Sequence, residues 1–174
     1  AKSRGAHILS IVNVVGSSIA KASDDVIYTW AGPEIAVATT KAYSTQLIVL
    51  YLFAIYAADK LGSADSKLLD TLLDEIRELP KKVESIFAME DKIKTLAKEH
   101  YEMKSVFFIG RNIDYAVAME GSLKLKEISY LNSEAYAAGE LKHGTISLIE
   151  EGRMVIALSY YEELLDKMMS NIKE

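Results

Sequence analysis

Residues Ser105–Tyr130 read SVFFIGRNIDYAVAMEGSLKLKEISY, and this stretch decides the class of fold that the sequence predicts. Its first part, Ser105–Ile109, is an apolar run of β-branched and aromatic residues, typical of a strand buried inside a sheet. A glycine follows, and Tyr115–Tyr130 has the length and composition of a helix. A buried strand that leads directly into a helix is the repeating unit of α/β proteins with parallel strands.

The same alternation extends in both directions from this stretch. We predict further strands at His7–Val14, Val26–Trp30 and Arg153–Ser159, and further helices at Ala36–Leu61 and Glu162–Ile172. Between them, Ser66–Leu79 and Lys81–His100 are predicted to form two or three amphipathic helices. Pro80 is expected to separate these two segments, because proline lacks the N–H group that a helix interior needs. Residues Asn132–Thr145 contain two glycines and are predicted to be a loop.

The order of these elements predicts a three-layer αβα fold with parallel sheets, built from two incomplete domains. The first strand lies within ten residues of the start, and no strand follows the final helix. We therefore expect residues 1–62 to be the later part of a first domain and residues 63–174 to be the earlier part of a second.

Composition excludes several classes of function. The 20 basic residues are dispersed among 25 acidic ones, and the net charge of −5 argues against a nucleic-acid partner, which would need a basic surface. The chain has no cysteine, so it has no disulfide, thiolate nucleophile or cysteine metal site. We predict neither a metal nor a cofactor.

The most apolar segment is Leu47–Ala58, LIVLYLFAIYAA. Twelve residues are too few to cross a bilayer, which needs about 20. We expect this segment to be a helix buried on all sides, either under the sheet or against a partner subunit. The start of the chain lacks the pattern of a signal peptide, so we expect a cytoplasmic protein that does not associate with a membrane.

Charged residues are concentrated in Glu120–Gly144, EGSLKLKEISYLNSEAYAAGELKHG. On a helix, Glu120, Lys124 and Glu127 fall on one narrow line, here called the charged stripe, with apolar residues on both sides. Such a stripe can be a simple ladder of ion pairs, contributing a few tenths of a kcal/mol per pair. It can also be a catalytic set, because charge beside apolar surface costs stability unless it is paired or used.

His143 lies in the polar segment between Gly139 and Gly144. An imidazole titrates near neutral pH and is therefore suited to proton transfer to and from a sugar ring oxygen. The alternative is an ordinary exposed loop histidine. Sugar isomerisation needs a carboxylate to move a proton, a cation to hold developing negative charge and an imidazole to open the ring.

Two separate blocks carry a resemblance to a known family. Gly32–Leu47, GPEIAVATTKAYSTQL, resembles the GxEIgVAsTKAxTTQL signature in the isomerase half of glutamine–fructose-6-phosphate aminotransferases (isomerising), also called glucosamine-6-phosphate synthases. Glu120–Gly144 resembles the same half in the same order, as do Asn13–Asp24 and Ile109–Arg111. The resemblance covers nearly the whole chain and implies sheets of the sugar-isomerase (SIS) type.

The resemblance also implies roles for five residues. Glu127 matches the general base that moves a proton between C1 and C2 of a fructosimine. Lys124 matches the lysine that steadies the enolamine oxyanion, and His143 matches the ring-opening histidine that a neighbouring subunit supplies. Val37 and Thr39 match residues that line the sugar pocket, although the family prefers serine at position 39. The role of Lys41 stays open.

By the same resemblance, the substrate is a phosphosugar, fructose 6-phosphate, which is converted with glutamine-derived ammonia to glucosamine 6-phosphate. The expected assembly is a homodimer, with a glutaminase domain elsewhere in the parent chain. The loops that grip the sugar phosphate and the lysine that forms an imine with the sugar are expected outside these residues, so this fragment should be inactive alone. Thr145 replaces a proline that usually follows the ring-opening histidine.

Two other functions are compatible with the sequence. SIS domains also occur as phosphosugar-binding modules without catalysis, and related deglycases or ketose–aldose isomerases use the same carboxylate on another sugar. A binding module would not need Glu127, Lys124 and His143 together, so their joint presence favours an enzyme.

Overall fold

The computed structural model describes all 174 residues and divides them into two compact units. The first unit is Ala1–Ile93 and the second unit is Lys94–Glu174. Each unit contains helices and a sheet of parallel strands, which confirms the predicted α/β class. Compact units need not coincide with domains, so the predicted domain boundary at residues 62–63 stays a prediction.

The first unit combines a two-stranded sheet with long helices. Its elements are a 3-10 turn at Lys2–Arg4, then β1 (Leu9–Val12), α1 (Ser18–Ala22), β2 (Asp25–Tyr28), α2 (Lys41–Leu61) and α3 (Ser66–Phe87). Strands β1 and β2 pair in parallel, with Leu9 opposite Asp25. Both strands were predicted, although they are shorter than the sequence suggested. The short helix α1 was not predicted, and the Ser17 side chain caps it by accepting from the Ala20 N–H at 3.3 Å.

The start of α2 and its burial both differ from the prediction. The helix begins at Lys41 rather than Ala36, because the preceding segment forms an irregular turn, in which the Lys41 Nζ donates to the Pro33 carbonyl at 2.5 Å. No residue of α2 is buried within this chain, so the expectation of burial on all sides by the chain itself was wrong. By length and composition α2 could cross a membrane, but core helices of soluble proteins meet the same criterion.

Pro80 does not separate two helices, contrary to the prediction. Helix α3 continues through it from Ser66 to Phe87. Pro80 is exposed, so the carbonyl that its ring leaves without a helical partner can be hydrated. Ion pairs on the solvent side bracket the proline, including Arg77 with Asp74 at 2.6 Å and Lys81 with Glu78 at 2.9 Å. The chain instead turns between Phe87 and Glu90, where α4 (Glu90–His100) begins.

The second unit is a three-stranded parallel sheet with helices on both faces. After the end of α4 its elements are β3 (Ser105–Gly110), α5 (Ile113–Ser129), β4 (Asn132–Ala137), 3-10 turns at Leu141–His143 and Thr145–Leu148, β5 (Met154–Ala157) and α6 (Glu162–Lys173). The strand order is β4-β3-β5, and Val106 of β3 lies opposite Ser133 and Met154. All six residues of the central strand β3 are buried.

Alternate residues of β3 face the two helical layers. Val106 and Phe108 form a core cluster with Ala118 of α5. On the other face, Ile109 packs in a cluster that contains Met168 of α6. This two-sided burial explains why β3 reads as a continuous apolar run instead of an alternating one.

The predicted loop Asn132–Thr145 in fact contains strand β4, so that prediction was wrong. The sequence NSEAYA has no β-branched residue and therefore carries little local strand signal. Its conformation comes from pairing with β3 along its whole length. The Ser133 hydroxyl also donates to the Ser122 hydroxyl of α5 at 2.9 Å, and both residues are buried.

Candidate active site

The charged stripe is present on α5 as the sequence predicted. The Lys124 ammonium lies between two carboxylates, 2.6 Å from Glu127 Oε2 and 3.5 Å from Glu120 Oε1. The three side chains are only 19–26% exposed. Two carboxylates around one ammonium leave the stripe with one net negative charge, and the low exposure protects this charge from full solvent screening.

The electrostatics of the stripe suit proton transfer. Contact with the Glu127 carboxylate, helped by Glu120, raises the pKa of Lys124, so the lysine stays a cation at neutral pH. Glu127 Oε2 is buried, and its close polar contact is the ion pair with Lys124. A carboxylate held in this way can accept a proton from a substrate carbon that is brought next to it.

Close packing fixes the direction in which the stripe faces. Gly110 lets the first turn of α5 approach β3, since a Cβ there would lie 2.5 Å from the Asp114 carbonyl carbon. Gly121 lies against the Phe108 ring, where a Cβ would be 3.1 Å from the ring edge. The Ser122–Ser133 hydrogen bond ties the middle of the helix to β4. The helix therefore has little freedom to rotate about its axis.

His143 ends the 3-10 turn that follows β4 and is exposed. We call residues 138–144 the His143 loop. Its backbone is ordered by hydrogen bonds from the Glu140 N–H to the Ala137 carbonyl at 2.8 Å and from the His143 N–H to the Glu140 carbonyl at 3.1 Å. Leu141 packs in the core and attaches the loop to the second unit.

The structure does not bring His143 to Glu127 within one chain. Because β3 and β4 are parallel, α5 must run antiparallel to them, so Glu127 lies near the edge of the sheet where β4 begins. His143 lies beyond the edge where β4 ends. Six strand residues separate these edges by roughly 17–20 Å. One chain therefore cannot place both groups on one small substrate in this conformation.

Val37 and Thr39 lie in the first unit, in the irregular segment between β2 and α2. Val37 is 88% exposed and Thr39 is half-buried, whereas Ala38 between them is buried. That Val37 and Thr39 line the sugar pocket stays a prediction. The Lys41 ammonium bonds the Pro33 carbonyl, which gives this undecided residue a structural contact.

Sequence reasoning assigned no role to two other polar residues of this unit. The Asn13 side chain donates to the Gly32 carbonyl at 2.6 Å and accepts from the Ala31 N–H at 2.9 Å, so it holds the turn that leads to Val37. Asn13 is the first residue of the block Asn13–Asp24, which resembles the known family, and this was the sequence feature that could have indicated a role for it. Glu34 Oε2 is buried without a hydrogen-bond partner, and no local pattern distinguished it from an exposed glutamate. No three of the His, Asp and Glu residues are grouped as metal ligands.

Comparison with known protein families identifies the family of this chain. The SIS domain profile matches residues 1–56 and 100–173, which is most of the chain. The chain belongs to the SIS domain family. The two matched regions together contain the blocks on which the resemblance was based. Between them, residues 57–99 comprise the end of α2, all of α3 and nearly all of α4.

Within this SIS family, the similar proteins include aminotransferases. The glutamine–fructose-6-phosphate aminotransferase (isomerizing) of Caldanaerobacter subterraneus subsp. tengcongensis is 57% identical over 174 residues, which are all of this chain and 29% of that protein. The SIS chain therefore spans less than a third of the length of this relative. The resemblance stated from the sequence is confirmed at the level of this isomerase half.

Solved structures agree with this assignment. The C-terminal domain of glucosamine-fructose-6-phosphate aminotransferase from Francisella tularensis superposes with a TM-score of 0.93 at 35% identity, covering 99% of this chain and 49% of that one. A glucosamine-6-phosphate deaminase from Thermotoga maritima superposes with a TM-score of 0.68 at 26% identity, covering 99% of this chain and 50% of that one. The predicted αβα fold of the SIS type is thereby confirmed.

Proposed function

We propose that this SIS chain is part of the isomerase half of a glutamine–fructose-6-phosphate aminotransferase, which makes glucosamine 6-phosphate from fructose 6-phosphate and ammonia. The observation that carries the proposal is the charged stripe, in which Lys124 lies 2.6 Å from a buried oxygen of Glu127. The 57% identity to an enzyme of that name supports the choice of substrate.

In the proposed reaction, ammonia first replaces the C2 oxygen of fructose 6-phosphate to give a fructosimine. The Glu127 carboxylate removes a proton from C1 of the protonated imine, the electron pair of the broken C–H bond forms the C1=C2 double bond of an enolamine, and the C2=N electron pair moves to the nitrogen, which becomes a neutral amine. The proton then returns to C2, while the O1 hydroxyl loses its proton and C1 becomes the aldehyde carbon of glucosamine 6-phosphate. A single positioned carboxylate suffices for the transfer between adjacent carbons.

Lys124 stabilises the negative charge that develops on O1. Its pKa is raised by the two neighbouring carboxylates, so it remains protonated and acts as a cation, not as the base. Glu120 is the second carboxylate of the stripe, and its Oε1 lies 3.5 Å from the Lys124 ammonium. Two carboxylates with one cation allow Glu127 to pick up and release a proton while the lysine stays charged.

His143 opens the sugar ring by proton transfer, and we propose that it acts in the site of a second copy of the chain. The support is the distance between the two edges of the sheet, which separates His143 from the Glu127 of the same chain. A two-fold homodimer can bring the His143 of each copy to the charged stripe of the other. A site completed by its partner makes dimerisation a condition for activity.

The rest of the proposal concerns groups outside the charged stripe. Val37 and Thr39 line the sugar pocket. The loops that bind the phosphate, the imine-forming lysine and the glutaminase domain belong to the remainder of the polypeptide. We place the protein in the cytoplasm, without nucleic acid or membrane as a partner, and without a metal or cofactor.

The test uses the complete gene product with fructose 6-phosphate and ammonium, and glucosamine 6-phosphate is measured as the product. Glu127→Gln should bind the sugar phosphate with unchanged affinity and lose turnover by roughly 100- to 10,000-fold, the usual contribution of a general base. Glu163→Gln, an exposed carboxylate on α6, is the control and should keep full activity. Full turnover by the Glu127 variant would refute the proposed mechanism.

A second function is favoured by the likeness to the glucosamine-6-phosphate deaminase. Such an enzyme would run the same proton transfer in the direction that releases ammonia. Two assays of the complete protein distinguish the aminotransferase from the deaminase: ammonia release from glucosamine 6-phosphate, and formation of glucosamine 6-phosphate from fructose 6-phosphate and glutamine. Rapid ammonia release with little product formation would favour the deaminase. Sugar phosphate binding without either reaction would indicate a binding module.

A further inference from the structure

A buried polar contact joins the end of β3 to the last turn of α6. The Arg111 guanidinium donates two hydrogen bonds to Asn171 Oδ1, from Nε at 3.0 Å and from Nη2 at 2.6 Å. Asn171 is 8% exposed, and Arg111 is half-buried. Two charge-assisted hydrogen bonds to one buried acceptor make a contact that resists displacement.

The same guanidinium lies against the His143 loop. A Cβ added at Gly139 would be 3.1 Å from Arg111 Nη2, so the loop backbone packs directly on the charged group. The Ala138 N–H donates to the Gly110 carbonyl at 2.9 Å, which fixes the residue before Gly139 to the residue before Arg111. The start of the His143 loop is therefore placed by the end of β3 and by the arginine that follows it.

Helix α6 supports the later part of the loop. Leu141 and Met168 share a core cluster, and the Lys142 ammonium lies 3.9 Å from the Glu174 carboxylate. A cavity of about 170 Å³ nevertheless remains, lined in part by Leu141, Ile146 and Asn171. The apolar contacts alone thus leave space into which the loop could shift. Two polar contacts border this space, the short Arg111–Asn171 hydrogen bonds and the longer Lys142–Glu174 ion contact.

We infer that the Arg111–Asn171 pair is a positioning device for His143, which aims the imidazole that opens the sugar ring. This inference rests on the proposed function, because it assigns the pair an effect on the ring-opening step. Neither residue touches the substrate in this account. The pair acts through the His143 loop, and a displacement of about 1 Å of a catalytic group can lower a rate by roughly 100-fold.

The test compares two substitutions of Asn171 in the complete gene product. Asn171→Leu keeps a branched side chain of the same length and removes the acceptor, whereas Asn171→Asp keeps an acceptor for Arg111. Lys167→Ala, an exposed position on the same helix, is the matched control. Three quantities are measured: amide hydrogen exchange of residues 139–144, kcat with fructose 6-phosphate and ammonium, and the Kd of glucitol 6-phosphate, an acyclic analogue that has no ring to open.

We expect Asn171→Leu to speed exchange in the His143 loop and to lower kcat by roughly 10- to 100-fold, with the Kd of the acyclic analogue unchanged. Asn171→Asp should restore kcat to within about threefold of the wild type, since the charge-assisted hydrogen bonds are kept. The inference is overturned if the leucine variant keeps its kcat, if aspartate is as damaging as leucine, or if the acyclic analogue loses affinity in parallel with kcat.

If Asn171→Leu does not fold, the Arg111→Lys variant tests the same inference. Arg111→Lys keeps the charge but loses the planar fork, so it should also loosen the His143 loop and lower kcat. Unchanged exchange in residues 139–144 of this variant would contradict the inference. The exchange measurement does not depend on catalysis. If the wild-type protein is inactive but the variants still exchange faster in residues 139–144, the proposed function is refuted and the positioning of the His143 loop by the pair is supported.

Discussion

Removal of one hydroxyl from the Ser122–Ser133 pair should destabilise the second unit more than removal of both. The two residues are 2% and 0% exposed, and their oxygens are 2.9 Å apart. Ser133→Ala leaves the Ser122 hydroxyl buried without this partner, at a cost of about 1–3 kcal/mol in the free energy of unfolding. In the double alanine variant neither hydroxyl remains to be satisfied, so the loss should fall to about 1 kcal/mol.

The measurement is native-state hydrogen exchange at the amides of β3, the fully buried central strand, which reports the free energy of opening the second unit. A double-mutant cycle then gives a coupling energy of about 1–5 kcal/mol between the two hydroxyls, since each single variant costs about 1–3 kcal/mol and the double variant about 1 kcal/mol. Single variants that change stability by less than 0.5 kcal/mol, or a double variant equal to the sum of the singles, would refute this account of how α5 is held on β4.

Three further predictions concern the packing and the ionisation of single positions. Pro80→Ala should raise the free energy of unfolding of the first unit by about 1–3 kcal/mol, because the helix interior regains an N–H donor; a lowered or unchanged midpoint in urea would contradict this. Gly110→Ala should lower the thermal midpoint, since the new Cβ would lie 2.5 Å from the Asp114 backbone, and an unchanged midpoint would show that the contact relaxes freely. The hydrogen bond that His7 Nε2 donates to the Asp25 carboxylate raises the pKa of His7 above 6.5, so its stabilising contribution is complete below pH 6.5 and is lost as the pH rises through the folded-state pKa; an NMR titration should show this, and Asp25→Asn should return the midpoint toward 6.5.

The parts of the fold that the sequence predicted are those with a strong local pattern. Strand β3 is buried on both faces, so its apolar run was visible without knowledge of its neighbours. The charged stripe was predictable for a similar reason, because helical geometry alone places Glu120, Lys124 and Glu127 together.

The errors occurred where distant contacts override local preference. Strand β4 has the sequence of a loop and becomes a strand because it pairs with β3. Helix α3 continues through Pro80 because the proline faces solvent. No residue of α2 is fully buried within the chain, and the partner that was expected as one alternative stays a prediction. The contact between Arg111 and Asn171 joins residues 60 positions apart, a separation at which no sequence pattern can be read.

Subunit complementation tests the central claim most directly, namely that Glu127 of one copy works with His143 of another. Glu127→Gln and His143→Ala homodimers of the complete protein should each be inactive. Unfolding and refolding them together in equal amounts should give mixed dimers with one intact site of two, and thus about a quarter of the wild-type activity in a statistical mixture. If the mixed dimers form and remain inactive, the two groups do not share a site across the two-fold axis, and the account is wrong.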